Sequence, residues 1–306
     1  MKTKTEILKP QNLLNNLSLI VLFTLSLFLV SCSTEDTESI DLMNEEQSIV
    51  EVLNSFSDDD DFASRNANSK SGKPKFRTLS VALAQTGLAG TVSSNQLTVF
   101  APTDEAFAKY GLNQRNIVSE LGVETLTSIL LYHVVGGTVF SGDLSNGFVQ
   151  TLNGTYVEVN LESGVKINNA NVILADREAR NGVIHAIDDI LFPPTMNITE
   201  LAIDSFGIES SLVKAVLAAQ LEGVLANGGP FTVFAPDQNA FDIFLADNGF
   251  GNVDQVPVDL LTQVLLYHVV AGTVFSTDLS NGYVSTLNGA AVNVNLDSGV
   301  MINDTN

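Results

Sequence analysis

The sequence has a single cysteine, Cys32, and no tryptophan in 306 residues. A lone thiol excludes an intrachain disulfide, so whatever folds must be held together by packing. Positive charge is also scarce: 14 Lys and Arg stand against 35 Asp and Glu, for a formal net charge of -21. A polyanion of this kind cannot displace the counterions of a phosphate backbone, which excludes nucleic acid as a partner. Surplus acidity instead keeps a surface solvated and leaves cations as its electrostatic attraction. There are three histidines, His133, His185 and His268. They lack the short ligand spacing that zinc requires, and no Gly-x-Ser-x-Gly elbow presents a nucleophile. Composition and motifs therefore point to a protein that is not an enzyme, with no catalytic residues, no metal and no cofactor.

What is present is ordinary folding material, 45% hydrophobic and 16% charged, in a chain long enough for two domains and a tail. The N-terminus carries Lys2, Lys4 and Lys9, then an apolar run over 19–30 interrupted by Thr24 and Ser26. It has the form of a signal peptide and is too short for a convincing membrane span. Its last residues, Leu29-Val30-Ser31-Cys32, resemble a bacterial lipobox. That resemblance implies cleavage before Cys32 and a lipid on its sulfur, with 1–31 removed; a plain secretory signal beside an incidental cysteine is the alternative. Buried lipid methylenes contribute about 0.8 kcal/mol each, so several acyl chains hold a protein on a bilayer without a transmembrane helix. Residues 33–38, Ser-Thr-Glu-Asp-Thr-Glu, resemble the acidic export signal of Bacteroidetes lipoproteins, which implies lipid anchoring to the outer membrane and exposure at the surface. Residues 32–75 are polar, include Asp58-Asp59-Asp60-Asp61, and are expected to form an acidic flexible tether. The aspartate run lacks the alternating ligands and turn glycine of a calcium loop. Within the tether, residues 45–56 have helical spacing, with Ile49, Val52, Leu53 and Phe56 on one face.

The rest of the chain is written twice. Leu130-Leu131-Tyr132-His133-Val134-Val135 returns as Leu265-Leu266-Tyr267-His268-Val269-Val270, and Gly137-Thr138-Val139-Phe140-Ser141 as Gly272-Thr273-Val274-Phe275-Ser276. Upstream, Thr98-Val99-Phe100-Ala101-Pro102 recurs as Thr232-Val233-Phe234-Ala235-Pro236. A period this long marks duplicated domains and not a short solenoid repeat. In each block β-branched and aromatic residues favour a strand that ends at the proline, and Thr103 or Asp237 is placed to cap the helix that follows. Asp104 and Glu105 suit the positive end of that helix, with Ala106, Phe107 and Tyr110 expected to face inward. Leu126, Ile129, Leu130 and His133 follow helical spacing. Residues 147–152 and 155–161 alternate as strands around Asn153-Gly154, a tight-turn pair. Helices that precede strands in this way define an α+β unit.

Three motifs in this order resemble the fasciclin family: the strand into Phe-Ala-Pro with a helix ending Ala106-Phe107, the Tyr-His pair after an apolar helix, and a closing strand over 181–188. The resemblance covers 76–306. It implies two tandem fasciclin-like domains, 76–194 and 195–306, each a wedge of twisted β-sheets with helices packed at one side. Asn306 aligns with Asn171, so the first copy's segment through Ile187 to Phe192 has no counterpart in the second. Either the sequence is a fragment of a longer one, or a partner completes the second domain.

The family resemblance also implies a function in cell-surface adhesion, with contacts to extracellular matrix, polysaccharide or other cells. It nominates Tyr132, His133, Tyr267 and His268 as contact residues. Two readings of these four stand side by side, direct recognition and packing between helix end and strand, and His185 is open to the packing reading as well. The alternative function is a glycan- or small-ligand-binding accessory lipoprotein with no adhesive role.

Overall fold

In a computed structural model of the chain, residues 47–58 and 73–303 are described. The signal segment, Cys32, the 33–38 acidic run and the polar stretch 59–72 lie outside the described residues.

The first copy runs α1 (Ile49–Asp58), α2 (Arg77–Gln85), α3 (Ala89–Ser94), β1 (Leu97–Pro102), α4 (Asp104–Ala108), α5 (Ile117–Leu121), α6 (Val123–Tyr132) and β2 (Val134–Gly136). Five strands follow: β3 (Gly147–Gln150), β4 (Tyr156–Asn160), β5 (Lys166–Ile167), β6 (Ala170–Ala179) and β7 (Gly182–Ile187). All seven strands form one sheet in the order β2-β1-β7-β6-β5-β4-β3. The sequence-predicted closing strand is β7. It lies in the interior of the sheet, parallel to β1 and antiparallel to β6, and is buried at every residue.

The expected caps are in place: the Thr103 side chain accepts from Ala106 N at 3.2 Å, and Asp237 accepts from Ala240 N at 2.8 Å. Ala106 and Phe107 are buried, but Tyr110 is 48% exposed. The helix stops at Ala108, so Tyr110 leaves its apolar stripe and donates its hydroxyl to Asp189 at 2.9 Å. The Asn153-Gly154 turn is a longer loop than a two-residue hairpin: Thr151 N bonds Thr155 O at 2.9 Å, and Gly154, at φ 92, takes the left-handed conformation.

The flexible tether expected over 32–75 needs correction where it is described. Helix α1 belongs to the folded body, with Ile49, Val52 and Leu53 at no more than 1% exposure, and the predicted apolar face is the buried one. Ser48 and Glu51 cap its start reciprocally, Ser48 N donating to Glu51 Oε2 at 2.7 Å and Glu51 N to Ser48 Oγ at 3.4 Å. Asn181, just before β7, fixes the helix in place. Its Oδ1 accepts from Ile49 N at 2.9 Å, and its Nδ2 donates to Val92 O at 2.7 Å and Asn95 O at 2.8 Å. Phe56 packs edge-on to Phe76, with ring centroids 5.4 Å apart. Burying three aliphatic side chains contributes about 1.5–3 kcal/mol each, which offsets the ordering of a polar segment.

Two apolar layers flank the sheet. On the helix side Leu53, Leu79, Val99, Phe107, Leu126 and Ile184 share one core; on the other, Phe100, Tyr132, Val157, Ile167, Ile187 and Leu191 share a second.

The second copy repeats the order with α7 (Ile198–Phe206), α8 (Ser211–Ala218), α9 (Glu222–Asn227), β8 (Phe231–Val233), α10 (Gln238–Asp247), α11 (Val258–Tyr267), β9 (Val269–Ala271), β10 (Gly282–Ser285), β11 (Ala291–Asn295) and β12 (Met301–Ile302). Among the described residues it has no strands equivalent to β6 and β7. Its sheet is therefore in two pieces, β8-β9 and β10-β11-β12. The copies touch through aromatic rings: Phe275 stacks on Phe148 at 3.8 Å and meets Tyr156 edge-on at 5.0 Å.

Candidate functional site: the tyrosine–histidine junctions

Each Tyr-His pair sits where an apolar helix hands over to a short strand. His133 caps the C-terminus of α6 and is 1% exposed. Leu191 N donates to its Nε2 at 2.9 Å, which makes that nitrogen an acceptor. The proton therefore sits on Nδ1, which donates to Ile129 O at 2.8 Å. Burial lowers the imidazole pKa from 6.5 to about 4, against the opposing pull of the Ile129 carbonyl. The ring is neutral at physiological pH. Tyr132 is 3% exposed; its hydroxyl donates to Tyr156 O at 2.8 Å and accepts from Asn168 Nδ2 at 3.1 Å. Both polar ends of the pair are thus spent inside the domain, joining the helix to β4, to the β5–β6 turn and to the segment after β7. In the first copy this is the packing arrangement of the two that the sequence left open.

The second copy keeps half of it. Tyr267 OH donates to Ala291 O at 3.1 Å and accepts from Asn303 Nδ2 at 2.7 Å, and His268 Nδ1 reaches Val264 O at 2.8 Å. Among the described residues nothing bonds to His268 Nε2 as Leu191 does to His133. Tyr267 and His268 are half-buried and line a groove of about 850 Å³ beside β8.

His185 is fully buried. Asp176 N donates to its Nδ1 at 3.3 Å, so its Nε2 is the protonated nitrogen and donates to Val139 O at 2.9 Å. Ser141 lies nearby, but both its backbone N, at 2.7 Å, and its hydroxyl donate to the Asp176 carboxylate. Burial pushes that carboxyl up, yet the two bonds from Ser141 lower it, and the pKa lies below the ordinary value. Serine, aspartate and histidine therefore meet in an order that activates nothing, because the hydroxyl faces the carboxylate and not the imidazole. Among the described residues, no three His, Cys, Asp or Glu side chains gather as metal ligands, and no helix is long and apolar enough to cross a membrane.

Sequence reasoning did not single out Asn181 or Tyr283. Asn181 follows from no local pattern, since its partners lie in α1 and around α3. Tyr283 is 81% exposed on β10; the alternation of Gly282, Tyr283, Val284 and Ser285 was the available signal for its outward direction.

A twice-repeated α+β unit, with a strand that leads into Phe-Ala-Pro and a Tyr-His junction, defines the class of protein. A family model for the fasciclin domain matches residues 74–193 and 209–306, and the chain belongs to that family. Protein sll1483 of Synechocystis sp. is 39% identical over 127 residues, which cover 40% of this chain and 70% of that protein. Transforming growth factor-beta-induced protein ig-h3 of Sus scrofa is 30% identical over 206 residues, 64% of this chain but only 29% of that protein. Among solved structures, a FAS1 domain pair from the insect cell adhesion molecule Fasciclin I matches at 20% identity with a TM-score of 0.31, covering 73% of this chain and 86% of that one.

Proposed function

We propose that the chain is a surface adhesion module. Lipid on Cys32 holds it on the outer membrane, and its tandem fasciclin domains contact extracellular matrix, polysaccharide or neighbouring cells without catalysing a reaction. The observation that carries this reading is the inward bonding of the motif's reactive side chains. His133 and His185 have both ring nitrogens occupied by partners within their own domain, which leaves outward faces as the means of interaction. Family membership supports the same class of function, since the fasciclin domain is an adhesion-type module. In this reading Tyr132 and His133 shape the domain from within, while the half-exposed Tyr267 and His268 can touch a partner directly. Tyr283, at 81% exposure, adds a rigid amphipathic ring of the kind favoured at interfaces. Two copies on one anchor multiply weak contacts.

The test is attachment of cells or beads bearing the chain to immobilised matrix proteins and a glycan array. Tyr283→Ala is expected to reduce attachment about fivefold or more, roughly 1 kcal/mol for one lost contact residue, with an unchanged melting profile. Attachment to no surface by the unaltered chain, or full attachment after the ring is removed, counts against the assignment.

A further inference from the structure

The contact between the two copies uses a different surface on each. From the second copy Phe275 stacks on Phe148 at 3.8 Å and meets Tyr156 edge-on at 5.0 Å. Phe148 and Tyr156 stand on the outward face of the β3–β4 pair, where Phe148 lies opposite Glu158 and Tyr156 opposite Gln150. One copy supplies a phenylalanine knob and the other an aromatic seat on an edge strand. A heterologous contact of this kind leaves one knob and one seat of the repeated unit unused.

The unused knob is Phe140. It follows Gly137-Thr138-Val139 as Phe275 follows Gly272-Thr273-Val274, and the same bonds shape both loops. Val139 N donates to Thr98 Oγ1 at 2.9 Å and Val274 N to Thr232 Oγ1 at 2.8 Å. The two threonine hydroxyls donate in turn to Gly137 O and Gly272 O, each at 2.8 Å. The backbone at Phe140 has φ -77 and ψ 160, and at Phe275 φ -85 and ψ 159. Among the described residues Phe275 has ring partners and Phe140 has none.

The unused seat is Tyr283. Strand β10 pairs with β11 in the register of β3 with β4, so Tyr283 lies opposite Asn293 as Phe148 lies opposite Glu158. Tyr283 is 81% exposed, against 38% for Phe148 beneath Phe275. Closing strands do not cover this position: in the first copy, where they are present, β4 and β5 separate β6 and β7 from β3, and the ring stacked on Phe148 comes from the other copy. Ala291 stands opposite Ser285 where Tyr156 stands opposite Gln150. The second seat therefore keeps its stacking ring and lacks the edge-on one.

We propose that Tyr283 is a self-association seat, and that its occupant is Phe140 of a second copy of this chain. The incoming chain meets the second domain as the second domain meets the first, so the junction within the chain is repeated between chains. Knob and seat lie on different domains, and association is therefore head to tail and does not close as a two-fold dimer. Stacked rings supply the contact. With one ring fewer it is weaker than the internal junction, which a short linker favours with a millimolar effective concentration, and it acts between crowded chains. The inference stands independently of attachment to matrix or glycan, in which Phe140 has no part.

The experiment is sedimentation velocity on the full chain up to about 1 mM, the concentration a short linker supplies. It is run in detergent, with Cys32→Ala throughout so that neither lipid nor a disulfide joins chains, and with no matrix protein or glycan present. The chain is expected to form a concentration-dependent series of oligomers. Phe140→Ala and Tyr283→Ala are each expected to sediment as monomers, with association weakened about tenfold or more. Mixed in equal amounts, the two variants retain one intact knob and one intact seat between them and are expected to form dimers and nothing larger, which also shows that both are folded. A chain that stays monomeric at the highest concentration, a single variant that assembles like the unaltered chain, or a mixture that stays monomeric each overturns the proposal.

Discussion

The buried imidazole of His133 makes the stability of the first domain depend on pH in a calculable way. Its folded pKa is about 4 against an ordinary 6.5. Above about pH 6.5 neither the folded nor the unfolded ring holds a proton, and the stabilisation is complete. Between the two values the unfolded ring binds a proton that the folded ring refuses, so stability falls by about 1.4 kcal/mol for each unit of descending pH. The full loss is roughly 3 kcal/mol, a large share of the 5–15 kcal/mol that holds a typical domain. Asp176 and Asp189 have lowered pKa values. Their contribution is present above their ordinary 3.8 and is lost only as pH falls through the lower folded values, beneath most of the histidine window. His133→Gln removes the titration while keeping a side chain that can both donate and accept. Urea denaturation followed by circular dichroism, needed because the chain has no tryptophan, should give a wild-type stability that declines between about pH 7 and 5 more steeply than that of the variant, the difference approaching 2 kcal/mol. Parallel pH profiles for the two proteins, or a His133 ring resonance that titrates near its ordinary value in the folded protein, would refute the reasoning.

Leu53→Ala is expected to cost about 2–5 kcal/mol in chemical denaturation, because the side chain is fully buried in the helix-side core; a cost below about 0.5 kcal/mol would mean that α1 is a loose appendage. Cys32→Ala is expected to move the protein from the membrane to the soluble fraction, since the proposed anchor is the lipid on that sulfur; unchanged fractionation argues against lipidation there.

Much of this architecture was legible because local and global signals agree. The helix caps at Thr103 and Asp237, the stripe of Leu126, Ile129 and Leu130, and the closing strand are each written in a few adjacent residues, and the duplication repeats most of them in order. What stayed hidden depends on contacts between distant segments. Helix α1 shows its apolar face in the sequence, but its place in the fold is set by Asn181 reaching back across the chain to Ile49 N. Tyr110 continues an apolar spacing that the backbone abandons after Ala108. The Tyr-His pairs were ambiguous for a physical reason: an aromatic and an imidazole beside apolar neighbours suit a core and an interface equally, and only the partners of their polar atoms distinguish the two.

The two copies share one helix–strand junction and differ in what packs beyond it. Tyr132 and Tyr267 share sequence neighbours and equivalent hydroxyl bonds, yet one is buried and the other half-exposed. His133 and His268 make the same bond to the carbonyl four residues earlier; what differs is the strand beyond, which in the first copy delivers Leu191 N to the second ring nitrogen. The helix–strand junction is therefore an autonomous local structure, and the closing strand decides whether its histidine is a sealed core residue or an accessible one. It follows that the buried character of the Tyr-His motif is conferred by β7 and not by the motif's own residues.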